Sequence, residues 1–505
     1  MSKKLLICIT LVIACPVFAQ PGAQSSGGAA SGALQLPLSG RNGQAGSVST
    51  TQTPLPGTTT SVNTVNTSVQ VQGAYAGSSN NATARLFSGK LALQDAIDRA
   101  LAHNLGAIGL ANTVRQARGQ ERVSRSVLLP SLSGAVRENY FTQNLQALGI
   151  KLPFLPAVVG PTNYFDVRAT LTQNVVDLTA VNNHRATQEL VKASEQALDD
   201  SRDIVVFAAG AAYLQVIASG ARVESARAQL ATAQALYRQT MQRRQAGVAA
   251  QIEVNRSLVQ QQTQQQRLAT LENDLARQKI NLARLSGLPA NPNYEITDTI
   301  AFSVPPDMTV EEAVKQALAT RADLKSAESQ ARAAERALTA ARAQRLPSLA
   351  LSADVGEIGA RFTQAEHTYT VVGSIRIPIW QGGRASGEIA QAAATLDQRR
   401  AEAEDLRGRI ESEVRNAFLD LQAAAGQLDL AQGNQDVAKE TLRLTREKFD
   451  AGVTDSLEVT QTVEAVAGSD LDRITSLFAH NLAKLSLARA LGNAAQRLPE
   501  FLKVQ

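Results

Sequence analysis

Cysteine is nearly absent from this 505-residue chain: the only two, Cys8 and Cys15, fall within the first fifteen residues. Beyond them, no disulfide framework and no thiol chemistry is expected. Aromatic residues make up 4% and tryptophan occurs once, which argues against a core built on large rings. Four histidines, at 103, 184, 367 and 480, stand apart without a His-Glu-x-x-His spacing. There is no Gly-x-Ser-x-Gly elbow, phosphate loop or dinucleotide fingerprint, so no enzymatic activity, cofactor or metal site is expected. Lys/Arg-rich runs are missing too. With a net charge of only +5, nucleic acid is not an expected partner.

What is present begins with an address label. Lys3 and Lys4 precede the apolar stretch Leu5 to Ala14, and Val-Phe-Ala ends at Ala19. This order is that of a secretory signal over residues 1–19, too short to span a bilayer as a helix. Cleavage after Ala19 is the expectation; Val12 to Cys15 also passes as a lipoprotein site, with Cys15 as lipid anchor. Residues 20–86 are Gly, Ser, Thr, Asn and Gln with scattered prolines, a composition expected to form a disordered linker, and folding is expected to begin near Phe87.

The remainder is written twice. "LQDAIDRALAHN" at 93 matches "VEEAVKQALATR" at 310, and "LLPSLSGAV" at 128 matches "RLPSLALSA" at 345, both 217 positions apart. Further on, "AAYLQV" at 211 matches "NAFLDL" at 416, and "LARLSG" at 282 matches "LARALG" at 487, now 205 apart. The twelve-residue difference places a longer loop in the first copy. Repeats are expected at 87–290 and 308–495, with a Pro/Asn-rich linker at 291–307 and a tail at 496–505.

Each repeat reads as helix, strand, strand, long helix, break, helix. Phe165, Val167, Ala169 and Leu171 alternate with Asp166, Arg168, Thr170 and Thr172; Tyr369, Val371, Ile375, Ile377 and Ile379 alternate with Thr370, Ser374 and Arg376. About ten residues of such alternation is the length of a tilted transmembrane strand, and the export signal favours that over a half-buried soluble hairpin. In the helices Ile389, Leu396, Ala403, Ile410, Ala417, Ala424 and Ala431 recur every seventh residue, as do Val191, Leu198, Val205, Ala212, Ser219 and Ala226. This is a coiled-coil seam whose alanines permit close approach. Residues 204–221 lack charge and could pass for a membrane helix, but the matching stretch of the second copy is charged, and repeats should share an environment.

Two Ala-Gly-Val tracts, at 246–248 and 451–453, interrupt the helices, so each repeat is expected to project a helical hairpin whose glycine takes the left-handed turn. Four strands cannot close a barrel, and an open edge in lipid leaves hydrogen-bonding groups unpaired. The chain must then oligomerise: two copies give eight strands, three give twelve.

Leu-Pro-Ser-Leu at both strand entries, "PIWQGG" at the strand-to-helix junction (Pro378, Trp380, Gly382, Gly383) and the paired Ala-Gly-Val hairpins resemble the TolC-like outer-membrane efflux channel family, from Phe87 to Gly492 and in the family's order. The resemblance implies a mostly α fold with a β-barrel portion: a homotrimer whose twelve-stranded barrel sits in outer-membrane lipid and continues as a helical tunnel through the periplasm of a Gram-negative-type bacterium. It implies an exit duct for a tripartite efflux or type I secretion system, with an inner-membrane pump and a periplasmic adaptor as partners. The alternative is a periplasmic coiled-coil adaptor or scaffold without a pore. "NVVDLTAV" replaces the Gly-Gly pattern at the first junction, which bears on the local turn only.

Family members constrict the periplasmic mouth with acidic rings on the second hairpin. The matching residue is Glu458, and the place of a second acid holds Gln461. Asp455 and Glu458 equally suit the N-cap and third position of a capping box, with Glu253 at the same place in the first repeat. By the same resemblance Gly247, Val248, Gly452 and Val453 form adaptor-docking tips, although glycine there also serves simply as a turn former.

Overall fold

The computed structural model describes residues 47–55, 64–79, 89–147, 149, 156–291, 293–298 and 308–502; the expected signal, Cys15 and Phe87 lie outside them. In chain order the elements are strands β1 (Val48–Leu55), β2 (Thr64–Val71) and β3 (Lys90–Leu91), then helices α1 (Leu93–His103) and α2 (Leu105–Ser126). Strands β4 (Ser131–Asn144) and β5 (Val158–Val176) follow, then helices α3 (Leu178–Gln245) and α4 (Gln251–Leu285) and the short strand β6 (Glu295–Ile296). The pattern recurs as α5 (Val310–Thr320), α6 (Ala322–Ala343), β7 (Ser348–Gly359), β8 (Glu366–Arg376), α7 (Arg384–Asp450) and α8 (Ser456–Leu491), and α9 (Ala494–Phe501) ends it.

Where one opening helix per repeat was expected there are two. Asn104 divides α1 from α2: its extended backbone breaks the helix, its side-chain oxygen caps Gly106 N–H at 2.9 Å, and its amide donates to the Tyr75 carbonyl at 2.7 Å. Arg321 makes the corresponding break between α5 and α6.

The long helices α3 and α7 contain 68 and 67 residues, each on the order of 100 Å. Every residue of the α7 heptad from Leu396 to Ala431 is buried, and Ile389 packs against the same seam. On α3, the uncharged stretch is the one described helical segment long and apolar enough to cross a membrane, but protein covers it. Val205, Val206, Ala209, Tyr213, Leu214 and Val216 form the main core with Leu93 and Ile97 of α1, Leu282 of α4 and Leu482 and Leu485 of α8. Alanine and glycine let these helices approach closely: a β-carbon on Gly210 would meet Leu485 Cδ2 at 2.9 Å.

Two expectations are corrected. The segment 20–86 is not linker throughout, because β1 and β2 pair antiparallel and Val48, Val69, Val71 and the buried Tyr75 pack on the main core. Thr and Val are strand formers, and averaging them with Gln, Asn and Ser conceals their pattern. Likewise the expected tail at 496–505 is helical in part: Leu498, Phe501 and Leu502 are buried against the body of the protein.

Candidate channel wall and hairpin tips

Strands β4, β5, β7 and β8 form one antiparallel sheet in that order, leaving β4 and β8 as its edges. Registers Val136↔Val167, Ala169↔Val355, Ala353↔Val371 and Leu349↔Ile375 place these residues on one face with Leu132, Tyr140 and Tyr369. That face is bare and, apart from Glu138, Glu357 and His367 toward one end, apolar: Leu132, Val136, Tyr140, Tyr369 and Ile375 are between 68% and 77% exposed. The opposite face carries Ser133, Arg137, Asp166, Arg168, Thr170, Asp354 and Thr370. There Arg168 pairs with Asp166 at 3.2 Å and with Asp354 on the adjacent strand β7, two residues along from its register partner Gly356. A sheet with an apolar face that no protein covers and a charged opposite face separates lipid from water. Strands of 11 to 19 residues are long enough to do so.

The sheet joins the helices by two different turns. In the second repeat Gly382 (φ 58°) and Gly383 (φ 84°) both take the left-handed region that a side chain would strain, and Gly383 caps α7. Ile379 and Trp380 project outward beside them, 95% and 87% exposed. With Pro378, they form an apolar collar where strand becomes helix, the depth at which tryptophan favours a membrane interface. In the first repeat Asp177 replaces the glycines: its carboxylate accepts from Ala180 N–H at 2.9 Å and caps α3. The departure from the Gly-Gly pattern thus substitutes a side-chain cap for a backbone one.

At the far end both Ala-Gly-Val tracts close their helices identically. Val248 N–H reaches the Arg243 carbonyl and Val453 N–H the Lys448 carbonyl, both at 2.9 Å, with Gly247 (φ 80°) and Gly452 (φ 75°) left-handed. These are paired Schellman caps. They leave Val248 and Val453 69% and 76% exposed at the tips.

The returning helices start differently. Ala250 offers α4 no side-chain cap, whereas Asp455 accepts from Leu457 and Glu458 N–H at 3.1 and 3.2 Å. The reciprocal half of the expected capping box is replaced: the Glu458 carboxylate accepts from the Thr454 hydroxyl. Glu458 is half-buried and Gln461 is exposed one turn further on. The structure therefore brings Glu458 close to the second tip but not into contact with the first. What the sequence did not disclose is the joint between hairpins. Arg243 of α3 lies over the Phe449 ring of α7, Gln239 donates to Asp450 at 2.8 Å, and Gln264 of α4 donates to Glu464 of α8 at 3.0 Å.

Arg321, almost fully buried, pairs with Asp323 at 2.6 Å and Glu413 at 2.5 Å. Burial alone would raise the Asp323 pKa, but the hydrogen bond and charge of Arg321 outweigh it and hold the carboxyl below its usual range. Asp203 is shifted the other way, chiefly by burial, although it accepts from Asn493 N–H at 3.0 Å ahead of α9. Among the described residues, no three His, Cys, Asp or Glu side chains converge to hold a metal ion.

A two-faced sheet with open edges is thus continued by long helices that end in bare hairpins. The family model for outer membrane efflux proteins matches residues 313–493. The pyoverdine export outer membrane protein OpmQ of Pseudomonas putida is 28% identical over 299 residues, 56% of this chain and 61% of that protein. OpmQ of Pseudomonas aeruginosa is 26% identical, and the match covers 66% of it, so the chain spans somewhat less than two thirds of both. The toluene efflux pump outer membrane protein TtgF of Pseudomonas putida is 25% identical, the match covering 79% of this chain and 83% of that one. Among solved structures, the outer membrane channel CmeC of Campylobacter jejuni has the same fold, with a TM-score of 0.70 at 18% identity over 81% of this chain and 89% of that one. The chain has the fold of the TolC-like outer-membrane channels, and its second repeat is similar in sequence to outer membrane efflux proteins. The relatives it matches are named as outer membrane proteins.

Proposed function

We propose that this protein is the outer-membrane exit duct of a tripartite efflux or type I secretion system. Three copies supply twelve strands, and the charged sheet face lines a lumen wide enough for water. The observation that carries this reading is the sheet itself: its apolar face has no protein cover, and both its edges are free to pair. A poreless periplasmic scaffold would have no use for such a face. In this reading the tips at Gly247, Val248, Gly452 and Val453 receive a periplasmic adaptor, which connects the duct to an inner-membrane pump. Three copies of Glu458 near the axis form an acidic constriction that attracts cations. The cargo proposed is a small organic molecule, supported by relatives named for toluene, antibiotic and pyoverdine transport.

Purified mature protein, reconstituted in planar bilayers, tests the reading. Discrete conductance steps from a detergent-stable trimer are expected; a water-soluble species that never conducts would overturn it.

A further inference from the structure

Among the described residues three arginines stand on the charged face of the sheet, and two of them have acids close by. Arg168 is paired with Asp166 and Asp354. Arg137 shares its row with two acids, since the register runs from it through Asp166 and Ile358 to Glu366. The third, Arg376, ends β8 opposite Ser348. The rows next to it hold Asn174, Ala350 and Ser374, then Thr172, Ser352 and Val372. Its side chain is exposed and, among the described residues, makes no ion pair.

Nothing nearby offsets that charge. The first acid along this face, Asp354, lies opposite Thr370, six residues up β8 from Arg376. At about 3.4 Å per residue the two rows are roughly 20 Å apart. Salt screens exposed charges over about 8 Å at physiological ionic strength, so the Arg168 cluster does not reach Arg376. Nearer the helices, the Asp177 carboxylate caps α3 and Glu388 is held by Arg384 at 2.8 Å. The free edge of β4, which the assembly read above closes against β8 of another copy, brings no acid to this face. It carries Ser131, Ser133, Ala135, Arg137 and Asn139 there.

We propose that Arg376 is a selectivity-determining residue of the duct, its copies forming a cationic ring at the base of the barrel that favours organic anions over cations. This rests on the function read above and deepens it by giving the charge of the cargo: a carboxylate, phosphate or sulfonate on a small organic body. A guanidinium is the side chain suited to such a group, because its planar fork presents two parallel N–H donors to one oxyanion. Rings of arginine line pores that pass anions for the same reason. The sign is opposite to that of Glu458, and helix α7, on the order of 100 Å long, separates the two, so they act as independent filters in series.

Planar bilayers holding the purified mature protein, with citrate added to one chamber at a time, test the ring. Citrate is expected to block the parental channel, and Arg376→Gln to weaken that block roughly tenfold, the loss of one charge-assisted contact. Arg376→Lys should keep most of it. In a potassium chloride gradient Arg376→Glu should move the reversal potential toward potassium, whereas Glu458→Gln should move it toward chloride. The exposed side chain of Arg376 makes no ion pair within the subunit, so all three Arg376 variants should assemble like the parent on detergent gels. Parental conductance that citrate does not reduce, or a block and reversal potential indifferent to Arg376→Gln and Arg376→Glu, overturns the ring and leaves the duct standing. A protein that never conducts overturns both.

Discussion

The Arg243 guanidinium lies 4.5 Å from the centre of the Phe449 ring, and its Nη1 donates to the Phe449 carbonyl at 3.4 Å. These residues close the tips of different hairpins, and Phe449 is fully enclosed by Leu236, Val459 and Val463. A stacked pair of this kind contributes about 1 kcal/mol. If the second hairpin must part from the first to open the mouth, Arg243→Ala shifts that equilibrium roughly fivefold toward the open form. Higher single-channel conductance or open probability is expected in bilayers. Unchanged conductance would mean that the pair only braces the tips.

Glu458 and Asp455 have separable roles. Asp455 caps the helix, so Asp455→Ala is expected to cost about 1 kcal/mol of stability without changing ion selectivity. Glu458→Gln leaves that cap intact and removes one charge per subunit, so it should alter cation block or selectivity with little change in melting. The reverse assignment, with selectivity following Asp455, would remove Glu458 from the constriction.

How much of this was legible depends on the range of the interaction. The α7 seam could be read because burial repeats every seven residues, and the sheet faces because side chains alternate every two. Both patterns are local and survive in a single sequence. The Arg243–Phe449 contact joins residues 206 positions apart and leaves no periodic trace. The β1–β2 hairpin was hidden by composition: its threonines and valines are diluted by Gln, Asn and Ser. Glu458 was placed correctly as the third residue of its helix, but the partner of its carboxylate, Thr454, depends on a rotamer that no spacing rule fixes.

Val453 tests the docking surface. It is exposed at the second tip and contributes nothing to the Schellman cap beyond its backbone N–H. Val453→Asp should therefore leave folding and trimer formation intact while abolishing transport, because an unpaired charge is placed in an apolar contact. Drug or solvent susceptibility of cells carrying the variant, beside its abundance in outer-membrane fractions, distinguishes lost docking from lost protein. Transport at the parental level would exclude the second tip.

Asp323 sets an acid limit on stability. Its folded pKa is held below the usual carboxylate value, with Arg321 as the favourable partner, so the folded state binds protons less readily than the unfolded one. The stability this contributes is complete above about pH 4, where the unfolded carboxyl is ionised, and is lost as pH falls through the folded pKa. Asp323→Asn leaves the buried Arg321 with Glu413 as its remaining charged partner. The expected cost near neutrality is about 3 kcal/mol, the low end for breaking a buried pair. The difference between the parent and the variant should then shrink below pH 4, because the parent loses the same charge by protonation. Denaturation followed by circular dichroism between pH 7 and pH 3 measures it. A difference that is independent of pH would assign the loss to packing around α6 rather than to the ion pair.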